Sequence, residues 1–406
     1  MRLFRLEFLC FVIILNSQFS ILNSQDWSAR RAEEAGKSPF VSRIIEYKPA
    51  PGQFINQKGI GTREAAESIV GGMDGLVSLG GFGGYIIVGF DHTILNDPDN
   101  PYGVDFTVVG NAIANSSEPG IVMVMRDDNG NGLPDDTWYE LKGSNHATAT
   151  RNYTITYKNP KSNVAKDVAW TDNRGGSGVL KKVSTHEQPY YPLPEIFPDY
   201  PQDEISFTGT LIEVDINDEN PQFIRLPTLA YGYADNYPFT GIAPPFLPDN
   251  PKTAGILEGN GGDAFDIDWA VDDEGKPVYL EGIDFIKIYT AVNANAGWLG
   301  EISTEIRAII DVSPDDLLSI PNWKNKPDID ITVYPNPTSD FVNIRLDNRQ
   351  MVRVEIWNTT GKLFYENIAV NSHLLTISVH DYPAGNYIVC VYEGTQRMVK
   401  KVVKCK

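Results

Sequence analysis

The sequence predicts an all-β protein: a jelly-roll-like β-sandwich followed by a small immunoglobulin-like β-sandwich. Three observations carry this. Six segments between residues 84 and 292 are rich in Val, Ile, Tyr, Phe and Thr, the residues that suit a pleated, half-buried surface. Clusters of Gly, Pro, Asn and Asp separate them, as turns require. Helical periodicity is scarce, and many short strands without intervening helices build a sandwich or a barrel.

Residues 1–24 read as a secretory signal peptide. Arg2 and Arg5 precede an apolar run from Leu6 to Leu15, and polar and small residues follow to about Ser24. The run is short for a permanent span, so cleavage near Ser24–Gln25 is expected. Cys10 lies inside the apolar run with no small residue just before it, which disfavours a lipid-anchored cysteine. No later segment is long and apolar enough to cross a bilayer, so no transmembrane span is predicted.

The jelly-roll-like sandwich is assigned to 25–315, with its strands between about 40 and 312. "TREAAESIVGGM" (62–73) predicts a short helix, with Thr62 as N-cap and Gly71–Gly72 as the stop. The six strand segments are 84–91, 105–113, 120–127, 152–158, 210–216 and 282–292. In "YTITY" and "IDFIKIYTAV" a period of two is visible, the mark of antiparallel strands with one face in a core. Two stretches, 186–204 and 231–255, hold too many prolines for central strands. Their length points to function, and their aromatics argue against disorder. "SPDDLLSI" (313–320) predicts a turn or two of helix, and 316–329 a linker. About six short strands follow in 330–406, enough for one small sandwich.

Composition narrows the function. The chain has 406 residues, more than one ordinary core, with 42% hydrophobic and 21% charged residues and a net charge of -19. An acidic chain lacks the basic face that nucleic acid needs and suits divalent cations instead. Of the three cysteines, Cys390 and Cys405 lie near the C-terminus, so the exported body does without disulfides.

The loop "RDDNGNGLPDD" (126–136) is the strongest metal candidate. Counting Asp127 as position one places Asn129 at three, Asn131 at five, Gly132 at six and Asp135 at nine, with Asp136 after it. That opening is close to the calcium-loop pattern D-x-[DN]-x-[DN]-G, without the following helix and closing glutamate. A structural calcium is expected there, the alternative being an Asn-Gly hairpin turn with solvated acids. Asp266 and Asp268 alternate with Phe265 and Ile267, as on one face of a strand. They read as a glycosidase or metal pair, or as a solvated strand face.

Two resemblances add to this. "YPNPTSD" (334–340), "VEIWNTTGKLF" (354–364), "YPAGNYIVCVY" (382–392) and the basic tail "KKVVK" (400–404) resemble the C-terminal sorting domain of the type IX secretion system of Bacteroidota. The resemblance implies the type IX machinery as partner, with the product released or attached to the outer-membrane surface. "SLGGFGGYIIVGFDHTI" (78–94), "DFTVVGNAI" (105–113), "EPGIVMVMRDDNGNGLPDDTWYELKGS" (118–144) and the stretch from "DIDWAVD" to "GWLGEISTEI" (266–306) look like Bacteroidota cell-surface proteins. Some of these are associated with outer-membrane nutrient capture, including corrinoid uptake.

The expected function is therefore a non-enzymatic, secreted or surface-attached ligand-binding protein. Trp138, Tyr231, Tyr233, Tyr237, Trp269 and Trp298 are the candidate stacking residues for a small-molecule or glycan ligand, with Asp266 and Asp268 to orient it. Two alternatives stand beside it. One is a calcium-stabilised glycan hydrolase using Asp266, Asp268 and Glu140. The other is a structural or adhesive surface protein without a pocket.

Overall fold

The computed structural model describes residues 37–98, 100–217, 219–220, 224–240, 247–253, 256–312, 331–346, 353–358, 362–367, 372–393 and 396–405. The expected signal peptide, the helical turn at 313–320 and the linker at 316–329 lie outside them. The chain divides into two compact units, residues 1–318 and 319–406. Among the described residues the protein is all-β, and none of its helices is long and apolar enough to cross a membrane.

In the first unit the strands are, in chain order, β1 (Arg43–Lys48), β2 (Val77–Ser78), β3 (Tyr85–Leu95), β4 (Phe106–Val109), β5 (Gly120–Met125), β6 (Tyr139–Leu141), β7 (Thr150–Lys158), β8 (Val168–Asp172), β9 (Ser177–Leu180), β10 (Glu204–Leu211), β11 (Asp263–Phe265), β12 (Ala270–Val271), β13 (Gly282–Thr290), β14 (Glu305–Ile306) and β15 (Ala308–Asp311). They form a six-stranded sheet β1-β3-β13-β5-β6-β12, a four-stranded sheet β10-β7-β8-β9, a three-stranded sheet β11-β4-β15 and the pair β14-β2. Every strand pairing is antiparallel. Late strands insert between early ones, β13 between β3 and β5 and β15 beside β4, so long connections carry the chain from sheet to sheet as in a jelly roll.

Strand β13 explains the core. Ile286 pairs with Val88 and Val124, and Ile288 with Ile86 and Val122, so two apolar rows cross three strands. These residues share one buried cluster with Phe106, Val108, Phe265 and Ile309 of the three-stranded sheet. On the alternate positions Tyr85 meets the Phe207 ring of β10 at 6.4 Å, and the Tyr289 hydroxyl accepts the Thr210 amide at 2.9 Å. Both faces of β13 are therefore covered, and its burial does not alternate, unlike the one-sided strand the period of two suggests. Strands β7 and β10 do alternate cleanly, with Tyr153, Ile155, Tyr157, Ile205 and Phe207 turned inward.

Two local expectations are corrected. The helix is only α1 (Arg63–Glu67). The Thr62 hydroxyl caps it by accepting the Ala65 amide at 3.3 Å, and Ser68 closes it after five residues by returning its hydroxyl to the Ala65 carbonyl at 2.6 Å. Ile69 then turns into the core, fully buried, instead of continuing a helix. The strand read at 210–216 lies earlier, at β10, because it is Ile205 and Phe207 that find the core, whereas Glu213 and Asp215 are exposed.

The second unit has two antiparallel sheets. Strands β16 (Ile331–Tyr334), β17 (Phe341–Leu346) and β20 (Leu374–Ser378) form one, in the order β16-β17-β20. Strands β18 (Arg353–Asn358), β19 (Leu363–Asn367), β21 (Gly385–Glu393) and β22 (Gln396–Lys404) form the other, in the order β19-β18-β21-β22. Val342, Ile344, Val354, Ile356, Val389 and Val391 lie in the core of this small sandwich, and Cys390 on β21 is fully buried.

Candidate functional site

A cleft of about 340 Å³ opens beside β11. Its walls include Tyr231, Tyr237 and Pro238 on one side and Pro251, Ile256 and Leu257 on another, with Asn115, Asp249 and Asp263 as polar groups. Ile256 and Leu257 are more than half exposed and Tyr231 is 36% exposed, an apolar rim left open to solvent.

The 229–238 segment that forms one wall is held by buried polar side chains. Asn236 Oδ1 accepts from the Leu229 amide and the Ser117 hydroxyl, both at 2.7 Å, and its Nδ2 donates to the Leu229 carbonyl at 3.0 Å. The Asp263 carboxylate, at the start of β11, accepts the amides of Asn236 (3.0 Å) and Tyr237 (2.9 Å). Asp235 reaches the other way: Oδ1 accepts the amides of Asn111 and Ala112 at 2.9 Å each, and Oδ2 accepts the Glu305 amide at 2.9 Å. Gly110 permits this approach, since a Cβ there would lie 2.1 Å from Asp235 Oδ1.

These groups belong to a larger acidic centre. Carboxylate oxygens of Glu118, Asp235 and Glu305 lie within 4.8 Å of one another. Burial, with the neighbouring carboxylates adding to it, raises Glu118 and Asp235 well above the usual carboxylate range. Burial also raises Asp263, pushes Glu305 to about 7 and pushes nearby Glu301 to about 8. Sequence reading missed this centre. Its members lie far apart in sequence, and "YADN" (233–236) stands out only as a polar pair among aromatics.

Of the eight expected ligand residues, Tyr231 and Tyr237 line the cleft, and Trp269 backs Tyr231 with ring centroids 5.3 Å apart. Tyr233 is instead 2% exposed in the core, where its hydroxyl accepts the Asn145 amide at 3.0 Å. Trp138 and Trp298 are not among the residues of this cleft, and Trp298 projects 61% exposed from a one-turn 3-10 segment. Asp266 and Asp268 do not share a strand face. Strand β11 ends at Phe265, and Asp266 caps a 3-10 turn by accepting the Asp268 amide at 2.8 Å. Asp105, whose Oδ2 accepts the Ile267 amide at 2.8 Å, fixes that turn. Asp268 accepts from Asn96 Nδ2 at 2.8 Å, and Glu140 accepts from the Thr210 hydroxyl at 2.7 Å and His146 Nδ1 at 3.2 Å. The aromatic loop at 186–204, whose length pointed to function, packs into the core. Tyr190, Tyr191, Phe197 and Tyr200 are all buried, and Tyr200 donates to the Pro49 carbonyl at 2.6 Å.

The acidic loop connects β5 to β6, a pair in register at Met123–Glu140 and Val124–Tyr139. The Asp127 amide donates to Asp284 Oδ2 on β13 at 2.7 Å, which anchors the loop's start. Asp127 Oδ1 and Oδ2 accept the amides of Asn131 (3.1 Å) and Gly132 (2.7 Å), and Asp135 receives the side-chain amides of Asn129 and Asn131 at 3.0–3.2 Å. The Asn129 amide points at Asp136 Oδ2 at 3.4 Å. Gly132 has φ +72° with open space around it, so backbone conformation rather than crowding requires glycine there.

Residues 332–405 match the family described as the secretion system C-terminal sorting domain. This is the type IX sorting domain, so the chain is cargo of the type IX machinery and is secreted or displayed at the cell surface. Among curated proteins, an ulvan lyase from Nonlabens ulvanivorans is 38% identical over 61 residues, 15% of this chain. The chain thus matches only 11% of that relative's length. Among solved structures, a DUF3244-family protein with an immunoglobulin-like β-sandwich fold from Bacteroides vulgatus is 22% identical, over 21% of this chain and 90% of its own, at TM-score 0.18. A β-glucuronidase from Faecalibacterium prausnitzii is 10% identical, over 71% of this chain and 45% of its own, at TM-score 0.16. Likenesses this slight carry no functional argument.

Proposed function

We propose that this type IX cargo is a non-enzymatic capture protein whose cleft beside β11 takes a ring-shaped small molecule, a sugar ring foremost. The observation that carries this reading is the open apolar rim. Tyr231, Ile256 and Leu257 expose large side chains around one concavity, where burying them under a ligand would contribute about 25 cal/mol per Å². Tyr231, backed by Trp269, offers a flat face for stacking, and Asn115 and Asp249 supply hydrogen-bonding groups at the walls. A volume of about 340 Å³ lies at the lower end of small-molecule sites. It suits one or two rings better than a whole corrinoid. Asp266, Asp268 and Glu140, the candidates for hydrolysis, are already engaged by protein groups, which favours binding over chemistry.

The loop at 126–136 is read as a calcium staple. Its donor set is oxygen-rich and folded inward, as calcium requires. The amide groups of Asn129 and Asn131, now turned with nitrogen toward Asp135, present oxygen to a cation when rotated by half a turn.

The test is thermal unfolding of the full chain in calcium against mono- and oligosaccharides, with cobalamin as the macrocyclic arm. A ligand at one hundred times its Kd stabilises by about 2.7 kcal/mol. One sugar class should raise Tm, and Tyr231→Ala should remove the rise. No shift with any sugar, or an undiminished shift in Tyr231→Ala, overturns the assignment. A shift with cobalamin alone would replace the sugar ring with a corrinoid.

A further inference from the structure

We infer that Glu118, Asp235 and Glu305 form a second, interior divalent-cation site, selective for calcium and separate from the loop at 126–136. The first ground is geometry. Two oxygens each about 2.4 Å from one calcium ion can be no more than about 4.8 Å apart, and oxygens of all three carboxylates lie within 4.8 Å of one another. Glu118 enters just before β5, Asp235 from the 229–238 segment and Glu305 from β14, so three separate chain segments converge on one point.

The second ground is an orphaned atom. Glu305 is 0% exposed; its Oε1 accepts the Ser303 hydroxyl at 2.8 Å, and its Oε2 has no well-aligned hydrogen-bond partner, although Ser78, Asn111 and the Glu118 carboxyl also interact with the carboxylate. An unpaired carboxylate oxygen away from water is strongly unfavourable as an ion, and it sits in the same group as two further carboxylates. None of the three forms an ion pair with a described Lys, Arg or His. A cation supplies the missing partner of Glu305 Oε2 and offsets the charge of all three carboxylates at once.

The donors identify the ion's class. All are hard oxygens, and the Ser303 and Ser78 hydroxyls, 2.6 Å apart, lie beside Glu305. Magnesium holds several of its waters, whereas calcium accepts six to eight mostly protein oxygens; a centre with Asp235 and Glu305 both 0% exposed suits the ion that dehydrates. An exported protein meets calcium outside the cell. The rival occupant is protons shared among the carboxylates, which would neutralise the group without any metal.

The consequence reaches the cleft. Asp235 immediately precedes Asn236 and Tyr237, whose amides rest on Asp263 in the cleft wall. An ion on Asp235 would tie that wall to β14 and to the start of β5.

The test uses the full chain carrying Asp127→Asn and Asp135→Asn, which disables the loop. After chelation and dialysis, calorimetric titration with calcium chloride should show one remaining site, and calcium should raise Tm over the chelated protein. Adding Glu305→Gln should abolish both effects, and Asp235→Asn should weaken calcium binding at least tenfold. If these variants fail to fold, crystals of the unaltered chain soaked in terbium chloride decide the matter, with an anomalous peak expected among the three carboxylates. No heat and equal Tm with and without calcium in a folded protein overturns the inference in favour of shared protons. So does calcium binding that survives both added substitutions, or terbium absent from this centre.

Discussion

At the residue scale, the informative groups are carboxylates whose role depends on their neighbours. Asp266 is one. Burial, assisted by the Asp268 charge, pushes its carboxyl up to about 6, against the Asp268 amide, which pulls it down. The folded-state value lies above the unfolded one of about 3.9. Below about pH 4 both states hold the proton. Between about 4 and 6 the folded state keeps a proton the unfolded state has released, so stability falls as pH rises through that window, and the deficit is complete above it. Asp266→Asn should flatten that part of the profile when Tm is measured from pH 4 to 7 in saturating calcium. Parallel profiles for the two proteins would refute the assignment. The acidity of residues 263–268 was legible in the sequence; the end of β11 at Phe265 was not. The alternation there is genuine in sequence, but Asp105 accepting the Ile267 amide converts it into a turn, and residue 105 is far away along the chain.

At the element scale, the β5–β6 connection was legible as an acidic loop because its polar side chains are local. Asp127, Asn129, Asn131 and Asp135 are spaced by the loop's own backbone, and their side chains make direct contacts within the loop. If calcium fills it, Asp127→Ala should lower Tm by roughly 2–8 °C more in calcium than in chelator, the shift that about 1 kcal/mol gives across domain sizes, the loss in chelator being that of the Asn131 and Gly132 amide contacts alone. An equal loss in both conditions would make Asp127 a hydrogen-bonding residue only. The two aromatic loops look alike in sequence and differ in the fold. The 186–204 segment buries Tyr190, Tyr191, Phe197 and Tyr200 under the sandwich, whereas Tyr231 and Tyr237 remain at a cleft. Proline and tyrosine content cannot separate these outcomes, because both reward a rigid aromatic surface and only a neighbouring layer decides whether it is covered. Strand β13 shows the same limit: its residues announce a strand, but the cover on its second face comes from β10.

At the scale of the whole molecule, the two units carry separate cores, with the described clusters of residues 331–405 confined to that range. Ile344→Ala, at a fully buried position, should cost the second unit about 2–5 kcal/mol and leave the first unit's unfolding temperature unchanged. Hydrogen exchange resolved along the chain would read both units together; lost protection in β3, β5 and β13 would show that they unfold as one. The all-β class, the export address in 332–405 and the regular polar spacing of the loop at 126–136 can be read from the sequence alone, because strand composition, a sorting motif and the spacing within one loop are all written over short distances. The fold decided which tyrosines meet solvent. It also decided that Glu118, Asp235 and Glu305, spread over nearly two hundred residues, share one interior point. Burial and convergence depend on which distant strands become neighbours, and the crossing connections of this sandwich bring them together from opposite ends of the unit.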